Sequence, residues 1–274
     1  MMETQWSRDN FVCVGLDSDF DKIPESAHRS GNECALDVAN TIVAFNRAIV
    51  KATKDLVCAY KLNTAFYEAH GVKGVSALQR TIHDIHAIAP DVPVILDAKR
   101  GDIGNTNVGY AKMAFDFLRA DAITVHPYLG AEALEPFLAR AENGIIVLCR
   151  TSNPGAGEFQ DLLVNGEPLY RVVARRVANE WNKNGNCALV VGATCPDELR
   201  EVRGIVGDMP ILIPGIGAQG GDVEKTVTAG KDSRGKGMII NSSRGIIFAS
   251  LDEDFAEAAS YETKKLRYLI NQYS

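Results

Sequence analysis

The chain has 274 residues, of which 46% are hydrophobic and 23% are charged, a composition typical of a globular protein with a large apolar core. Its net charge of −6 argues against a nucleic-acid-binding surface, although a local basic site can still bind an anionic small molecule. No apolar run reaches the roughly 18 residues of a membrane span, and residues 1–10 lack the apolar core of a signal peptide. We therefore expect a cytoplasmic protein that binds neither nucleic acid nor a membrane.

Eight short apolar runs, most of them rich in Val and Ile, alternate with amphipathic stretches. Such runs are typical of strands buried on both faces of a parallel sheet. Eight strands alternating with eight helices predict one (β/α)₈ TIM barrel domain spanning residues 1–274. A doubly wound open sheet is the alternative that the pattern leaves open. The predicted strands are 11–16, 57–62, 92–96, 122–125, 144–149, 188–191, 210–213 and 238–240, and the predicted helices are 34–54, 72–89, 108–118, 131–141, 169–183, 196–206, 222–229 and 252–271.

Cysteine and histidine positions bear on cofactors and on the compartment. None of the six cysteines forms a CxxC pair, and four of them, Cys13, Cys58, Cys149 and Cys187, lie inside or at the start of apolar runs. We expect these four to be buried, reduced thiols, as in a reducing compartment. The chain has no compact His/Cys cluster for zinc, and the pair His83 and His86 is better interpreted as ordinary histidines than as metal ligands. The sequence predicts no metal and no cofactor.

The longest irregular segment is 152–168, which contains Asn153-Pro154-Gly155 and Gly157. Loops of this length in compact domains are usually functional or mobile. The segment follows the fifth predicted strand, and active sites of TIM barrels lie where the strands end. We therefore expect a lid over the active site.

Polar residues follow nearly every predicted strand, at the end where barrel active sites are built. Each can ionise or form hydrogen bonds, and an arbitrary barrel would show fewer of them. They are Asp17, Lys61 and Asn63, Asp97 and Lys99, His126, Arg150 to Ser152, and Arg244.

The densest polar cluster is Asp97-Ala98-Lys99-Arg100-Gly101-Asp102, after the third strand. In an extended chain, Asp97 and Lys99 point to the same side, and Gly101 permits a turn before Asp102. Neighbouring carboxylates keep an ammonium protonated and fix its position, which suits a general acid. A surface cluster of salt bridges is the alternative, and the location after a buried strand favours the functional interpretation.

A glycine-rich stretch, 214–222, follows the seventh strand, and Arg244 follows the eighth. The loops after these two strands are the usual phosphate site of TIM barrels. Glycines let backbone N–H groups approach a phosphate, and an arginine can bind it through two hydrogen bonds. A plain flexible turn is the alternative for the glycines alone.

These motifs resemble those of the orotidine 5'-monophosphate decarboxylase family. The run Asp97-Ala98-Lys99-Arg100-Gly101-Asp102-Ile103 resembles the family's DxKxxDI signature, and its extension to DAKRGDIGNT is similar to a bacterial subgroup with longer chains. Further matching motifs occur in the expected order along most of the chain. They are VGLD at 14–17, YKLN at 60–63, RTSNP at 150–154, GIGAQ at 215–219 and SRG at 243–245.

The resemblance implies a cofactor-free carboxy-lyase that converts orotidine 5'-monophosphate (OMP) to UMP and CO₂. It implies that Lys99 is the general acid that protonates C6 of the pyrimidine, and that Asp97 lies beside the substrate carboxylate. It also implies that Lys61 and Asp17 bind the ribose, with Lys61 extending the array of alternating charges.

The remaining implied roles concern binding and assembly. Ser152 would hydrogen-bond the pyrimidine amide, and Gln219 and Arg244 would bind the phosphate. Asp102 and Thr106 would reach into the partner's site of a homodimer and contact the ribose 2'-OH. Two other functions remain open: a magnesium-dependent decarboxylase or aldolase acting on sugar phosphates, and a barrel without activity that only binds a nucleotide or a protein.

Overall fold

The protein is described by a computed structural model over residues 1–30, 37–216 and 221–274. Eight parallel strands form a closed barrel in the order β1-β10-β9-β8-β5-β4-β3-β2, which confirms the predicted fold and excludes the open sheet. Each predicted strand overlaps one barrel strand. The strands are Val12–Gly15 (β1), Ala59–Asn63 (β2), Val94–Arg100 (β3), Ala122–Val125 (β4), Gly144–Arg150 (β5), Leu163–Val164 (β6), Glu167–Pro168 (β7), Cys187–Val191 (β8), Ile211–Pro214 (β9) and Met238–Ser242 (β10), where β6 and β7 form a separate antiparallel hairpin.

Helices connect the barrel strands. Two of them continue into a π-helical turn, at Lys112–Phe117 and Val177–Trp181. Among the helices that the structure describes, none is both long and apolar enough to cross a bilayer. The α-helices are Met2–Trp6 (α1), Val38–Thr53 (α2), Ala65–Glu68 (α3), Gly71–Ile88 (α4), Gly104–Ala111 (α5), Gly130–Leu138 (α6), Gly157–Gln160 (α7), Leu169–Arg176 (α8), Pro196–Val206 (α9), Val223–Gly230 (α10), Arg244–Ile247 (α11) and Phe255–Asn271 (α12), and short 3₁₀ turns lie at Phe20–Lys22, Glu25–Ala27 and Pro154–Ala156.

The chain divides into two compact units. The first unit contains Met1–Ala98, Leu118–Ala120 and Ser242–Tyr268, and the second contains Lys99–Phe117, Asp121–Asn241 and Leu269–Ser274. The two units are described in turn.

In the first unit, β2 pairs in parallel with both β1 and β3. The register places Gly15 opposite Lys61 and Asn63 opposite Asp97. Every residue of β1 is buried, as expected for a strand covered on both faces. The register therefore brings Lys61 in β2 and Asp97 in β3 close to the residues that follow β1.

In the first unit, α2 begins at a side-chain cap and packs through an aromatic side chain. The Asp37 carboxylate caps α2 by accepting a hydrogen bond from the Asn40 backbone N–H. Phe45, on the buried face of α2, stacks on Phe248 and Phe255 with ring centroids 5.6 and 5.2 Å apart. Such offset aromatic pairs add to the energy of burial itself.

A buried polar network lies inside the first unit, between α2 and the segment that follows β1. The Asn46 amide donates hydrogen bonds to Tyr67 Oη at 3.0 Å and to Thr81 Oγ1 at 3.2 Å. Its oxygen accepts one from Ser18 Oγ at 2.6 Å, and Tyr67 Oη donates to the Leu16 carbonyl at 2.9 Å. Burial raises the pKa of Tyr67, so the phenol stays a neutral donor. The network therefore fixes the backbone on both sides of Asp17.

In the second unit, β4, β5, β8, β9 and β10 pair in sequence as parallel neighbours. The register between β5 and β8 shifts between Leu148 and Arg150. Such an irregularity re-aims the side chains at a strand end. Here it lies directly before Thr151 and Ser152, two residues of the predicted RTSNP motif.

The segment 152–168 is more ordered than the sequence analysis expects. It contains the 3₁₀ turn Pro154–Ala156, α7 and the β6–β7 hairpin. The buried Arg150 guanidinium forms an ion pair with Asp161 (Nε to Oδ1, 3.1 Å), and Gln160 Oε1 accepts a hydrogen bond from the Thr151 N–H at 2.9 Å. The segment is therefore pinned to the end of β5, and its role as a lid stays a prediction.

The cysteines agree with the sequence analysis over the described residues. Cys13, Cys58, Cys149 and Cys187 are buried free thiols, as predicted. Burial raises the pKa of both Cys13 and Cys149 to about 12, which leaves these thiols protonated and unreactive at neutral pH. Cys34 lies outside the described residues.

The Asn46 network provides a test of the first unit. Replacing Asn46 with Leu removes the amide and leaves the Ser18, Tyr67 and Thr81 hydroxyls with fewer partners in a dry environment. We expect the free energy of unfolding to fall by about 3 kcal/mol, since each unsatisfied buried group costs about 1–3 kcal/mol. Urea denaturation measures the change.

Asn40→Ala is the matched control, because Asn40 lies on the same helix with its amide oxygen bonded to Arg80 at an exposed position. This control should cost less than about 1 kcal/mol. Equal losses for the two variants would contradict the structural role of the network.

Candidate active site

Three charged side chains meet at the paired strands β1, β2 and β3. The Lys61 ammonium lies 3.1 Å from Asp97 Oδ2 and 3.4 Å from Asp17 Oδ1. The side chain of Lys61 is only 5% exposed, that of Asp97 10% and that of Asp17 15%. The sequence analysis named all three residues, and the structure brings them together in the first unit.

Burial and the two neighbouring carboxylates have opposite effects on the pKa of Lys61. Burial alone would lower the pKa of Lys61, but the attraction of Asp97 and Asp17 outweighs it and raises this pKa above the ordinary value. With one ammonium and two carboxylates, the ionised trio has a net charge of −1. Lys61 therefore remains a fixed cation at neutral pH.

The local sequence explains why the three side chains converge. Lys61 immediately precedes the last two residues of β2. The last of these, Asn63, is opposite Asp97 in the register. Asp17 follows β1 within a stretch held by the Tyr67 bond to Leu16 and the Ser18 bond to Asn46. The Thr64 N–H also donates to the Asp97 carbonyl at 3.3 Å, which ties the end of β2 to the end of β3. Each charged side chain thus starts from a restrained backbone.

In the second unit, Lys99 has an unusual backbone. Its φ is 47°, in the left-handed region that residues other than glycine rarely adopt, at a cost of about 1–3 kcal/mol. The sequence analysis assumed an extended chain from Asp97 to Lys99, and this assumption fails at Lys99 because its backbone turns there. Backbone strain of this kind is found mostly at functional sites.

Asp102 and Thr106 follow Lys99 at the start of α5. Thr106 is exposed and Asp102 is half-buried. Asn107, which is fully buried, restrains Asp102 through two hydrogen bonds: its Oδ1 accepts from the Asp102 N–H at 3.0 Å, and its Nδ2 donates to the Asp102 carbonyl at 2.6 Å. Asn107 was not among the predicted residues, and only its place within the DAKRGDIGNTN run could have drawn attention to it.

Ser152 lies just beyond β5, packed against the residue that follows β8. A Cβ atom on Gly192 would come within 2.6 Å of the Ser152 Cβ, so glycine is required there for Ser152 to approach. The Arg150–Asp161 ion pair and the Thr151–Gln160 hydrogen bonds fix the neighbouring backbone. Arg150, Asp161 and Gln160 thus hold the backbone around Ser152, and the sequence analysis named only the first of them.

The predicted phosphate-binding residues are described only in part. Arg244 is exposed at the first residue of α11. Gln219 lies outside the described residues, as does most of the Gly217–Gly221 loop. Within residues 1–30, 37–216 and 221–274, no group of three or more His, Cys, Asp and Glu side chains has the arrangement of a metal site.

Comparisons with known proteins place this site in context. The sequence profile of the family described as "Orotidine 5'-phosphate decarboxylase / HUMPS family" matches residues 33–259. The orotidine 5'-phosphate decarboxylase of Ralstonia nicotianae is 51% identical over 269 residues, which cover 98% of this chain and 96% of that protein. The enzyme of the same name from Cupriavidus taiwanensis is also 51% identical over 269 residues, covering 98% of this chain and 95% of that protein.

The fold agrees with a solved structure of the same kind. The Leishmania donovani OMP decarboxylase matches with a TM-score of 0.81 and 36% sequence identity, and the match covers 97% of each chain. Sequence and fold thus agree over nearly the full length, and the chain belongs to the orotidine 5'-phosphate decarboxylase / HUMPS family.

Proposed function

We propose that this protein is an orotidine 5'-monophosphate decarboxylase, which converts OMP to UMP and CO₂ in the last step of UMP biosynthesis. The observation that carries the proposal is the buried Asp17–Lys61–Asp97 trio, in a chain about half identical to proteins named for this reaction. A buried ion pair contributes little net stability compared with apolar side chains of similar size. The trio is therefore better explained by a function that requires fixed charges.

The reaction needs electrostatic stabilisation. When the bond between C6 and the carboxylate breaks, CO₂ leaves and the electron pair stays on C6 of the pyrimidine. In the proposed mechanism the Lys99 ammonium stabilises this developing charge and then transfers a proton to C6, after which solvent reprotonates the neutral amine. A preorganised cation at the position where charge develops is usually the largest catalytic contribution.

The trio has a complementary role in this mechanism. Asp97 lies beside the substrate carboxylate, and its repulsion of that group is relieved as CO₂ departs. Lys61 forms an ion pair with Asp97 and, together with Asp17, binds the ribose hydroxyls. Because the ion pairs exist without substrate, these charges need no reorganisation during the reaction.

The other predicted residues bind the two ends of the nucleotide. We assign Ser152 to the pyrimidine amide, and Gln219 and Arg244 to the phosphate. Arg244 is an exposed cation, which suits recognition of a dianion that arrives from solvent. Binding energy from the remote phosphate can then contribute to closure around the pyrimidine.

We also propose a homodimer in which Asp102 and Thr106 enter the partner's site and contact the ribose 2'-OH. Large apolar side chains are exposed near these residues and after β4, and such surfaces commonly mark protein interfaces. These side chains are Ile103 (61% exposed), Val108 (38%), Tyr128 (85%) and Leu129 (44%).

Two coarser properties belong to the same proposal. Residues 1–274 form one barrel domain, since the strands of the closed barrel are drawn from nearly the whole length of the chain. The enzyme works in the cytoplasm, and its buried free thiols suit a reducing compartment.

The first test is turnover of OMP, followed by the ultraviolet absorbance change on conversion to UMP, with EDTA present throughout. We expect turnover that EDTA does not affect. We expect Lys99→Ala to lower kcat by about 10³-fold or more, because general acid catalysis and charge stabilisation are both lost. Lys112→Ala, at an exposed lysine on the turn after α5, is the matched control and should match the wild type.

A folded wild-type protein that leaves OMP unchanged would contradict the proposal. Turnover of a sugar phosphate that requires magnesium would then favour the alternative decarboxylase or aldolase activity.

The shared site of the dimer is tested by complementation. Lys99→Ala and Asp102→Ala chains should each be nearly inactive alone. If Asp102 serves the partner's site, a mixed dimer of the two variants contains one site with both residues intact. Statistical mixing by co-expression should therefore restore about a quarter of the wild-type activity. No restoration in a mixture shown to contain mixed dimers would contradict the shared site.

A further inference from the structure

The left-handed backbone of Lys99 requires an explanation beyond its own sequence. A lysine has no intrinsic preference for a φ of 47°, and such conformations persist only where the surrounding structure enforces them. Neither neighbour in the chain is a glycine or asparagine, the residues that usually accommodate such turns. The restraint must therefore come from contacts made by other elements.

One restraint is a buried threonine on the neighbouring strand β4. The Lys99 N–H donates a hydrogen bond to Thr124 Oγ1 at 2.9 Å. Thr124 is only 1% exposed, and leaving its buried hydroxyl without a hydrogen bond would be costly. The bond to Lys99 is therefore strongly favoured. The contact fixes the nitrogen of Lys99 relative to β4.

A second restraint comes from His126, just past the end of β4. Its backbone N–H donates to the Arg100 carbonyl at 3.0 Å, and its ring Nε2 donates to the Gly101 carbonyl at 2.9 Å. The ring also packs directly on Gly101, where an added Cβ would come within 2.4 Å of His126 Nε2. Threonine and histidine together thus bind three consecutive residues, Lys99 to Gly101.

We propose that Thr124 and His126 are positioning residues that hold the Lys99–Gly101 turn and thereby aim the Lys99 ammonium before substrate binds. The inference rests on the proposed function, in which Lys99 protonates C6. It adds that β4, which carries neither predicted acid nor predicted base, determines where that proton is delivered. A displacement of about 1 Å at a reacting group can lower the rate by about 100-fold.

The test compares variants that differ only in the hydrogen bond. Thr124→Val replaces the hydroxyl with a methyl group of similar size, and Thr124→Ser keeps the hydroxyl and loses a methyl. We expect Thr124→Val to lower kcat for OMP by about 10- to 100-fold. The KM for OMP and the Kd for UMP should stay within about 3-fold, since the proposed binding residues are unchanged. Thr124→Ser should retain kcat within about 3-fold.

His126 provides an independent variant in case Thr124→Val folds poorly. His126→Leu removes the ring donor to Gly101, whereas the amide of His126→Gln can still supply one. We expect a loss of kcat for the leucine variant and a smaller loss for the glutamine variant, with melting temperatures measured for all four proteins.

The outcomes separate the inference from the function on which it rests. Wild-type kcat in both Thr124→Val and His126→Leu, beside an inactive Lys99→Ala, would overturn the positioning role and leave the proposed function intact. A kcat that falls equally in the valine and serine variants, in step with their melting temperatures, would also overturn it, because the residues would then be merely structural. Full activity of Lys99→Ala would instead contradict the assigned role of Lys99 itself.

Discussion

The buried ion pairs of Lys61 with Asp97 and Asp17 are the interaction on which the proposed chemistry depends. A lysine removed from water normally loses its proton more easily, and two carboxylates are needed to reverse that tendency. They can do so because the pairing of β2 with β1 and with β3 holds the three side chains within contact distance. The register of the barrel strands thus fixes the relative positions of these charges.

Restraint of the backbone around each charged residue is the second requirement. Asp17 is fixed by the Tyr67 and Ser18 hydrogen bonds on either side of it, and Asp102 by the fully buried Asn107. These supporting groups are neutral amides and hydroxyls in the interior, where satisfied hydrogen bonds make a structure rigid. An active site that relies on preorganised charges needs such support. Mobile charges would have to reorient during the reaction, as water molecules do, and would stabilise the transition state less.

Much of the fold could be predicted from sequence because strand burial leaves a direct pattern. The run 144–149, for example, is apolar throughout and coincides with a barrel strand. Lys61, Asp97 and Asp17 could be identified because each lies near the end of such a run or just after it. The π-helical turn at Lys112–Phe117 could not be predicted, because its apolar spacing resembles that of an ordinary helix.

Other features depend on partners far away in the chain and so leave no local pattern. The backbone of Lys99 is set by Thr124, which is 25 positions away. The segment 152–168 is predicted to be a lid from its length and its place after the fifth strand, whereas the ion pair between Arg150 and Asp161 that pins it depends on tertiary packing. His126 was noted as a strand-end residue, but its contact with Gly101 required the three-dimensional arrangement.

The most direct test of the central claim is the protonation state of Lys61 in the free enzyme. Protein labelled with ¹⁵N-lysine would be titrated by NMR to the highest pH at which it stays folded, and the Lys61 signal would be assigned from its absence in Lys61→Met. We predict that Lys61 keeps its proton above the ordinary lysine pKa of about 10.4. Loss of the Lys61 proton at or below that ordinary pKa would contradict the account, because the charge array would not be fixed before substrate binds.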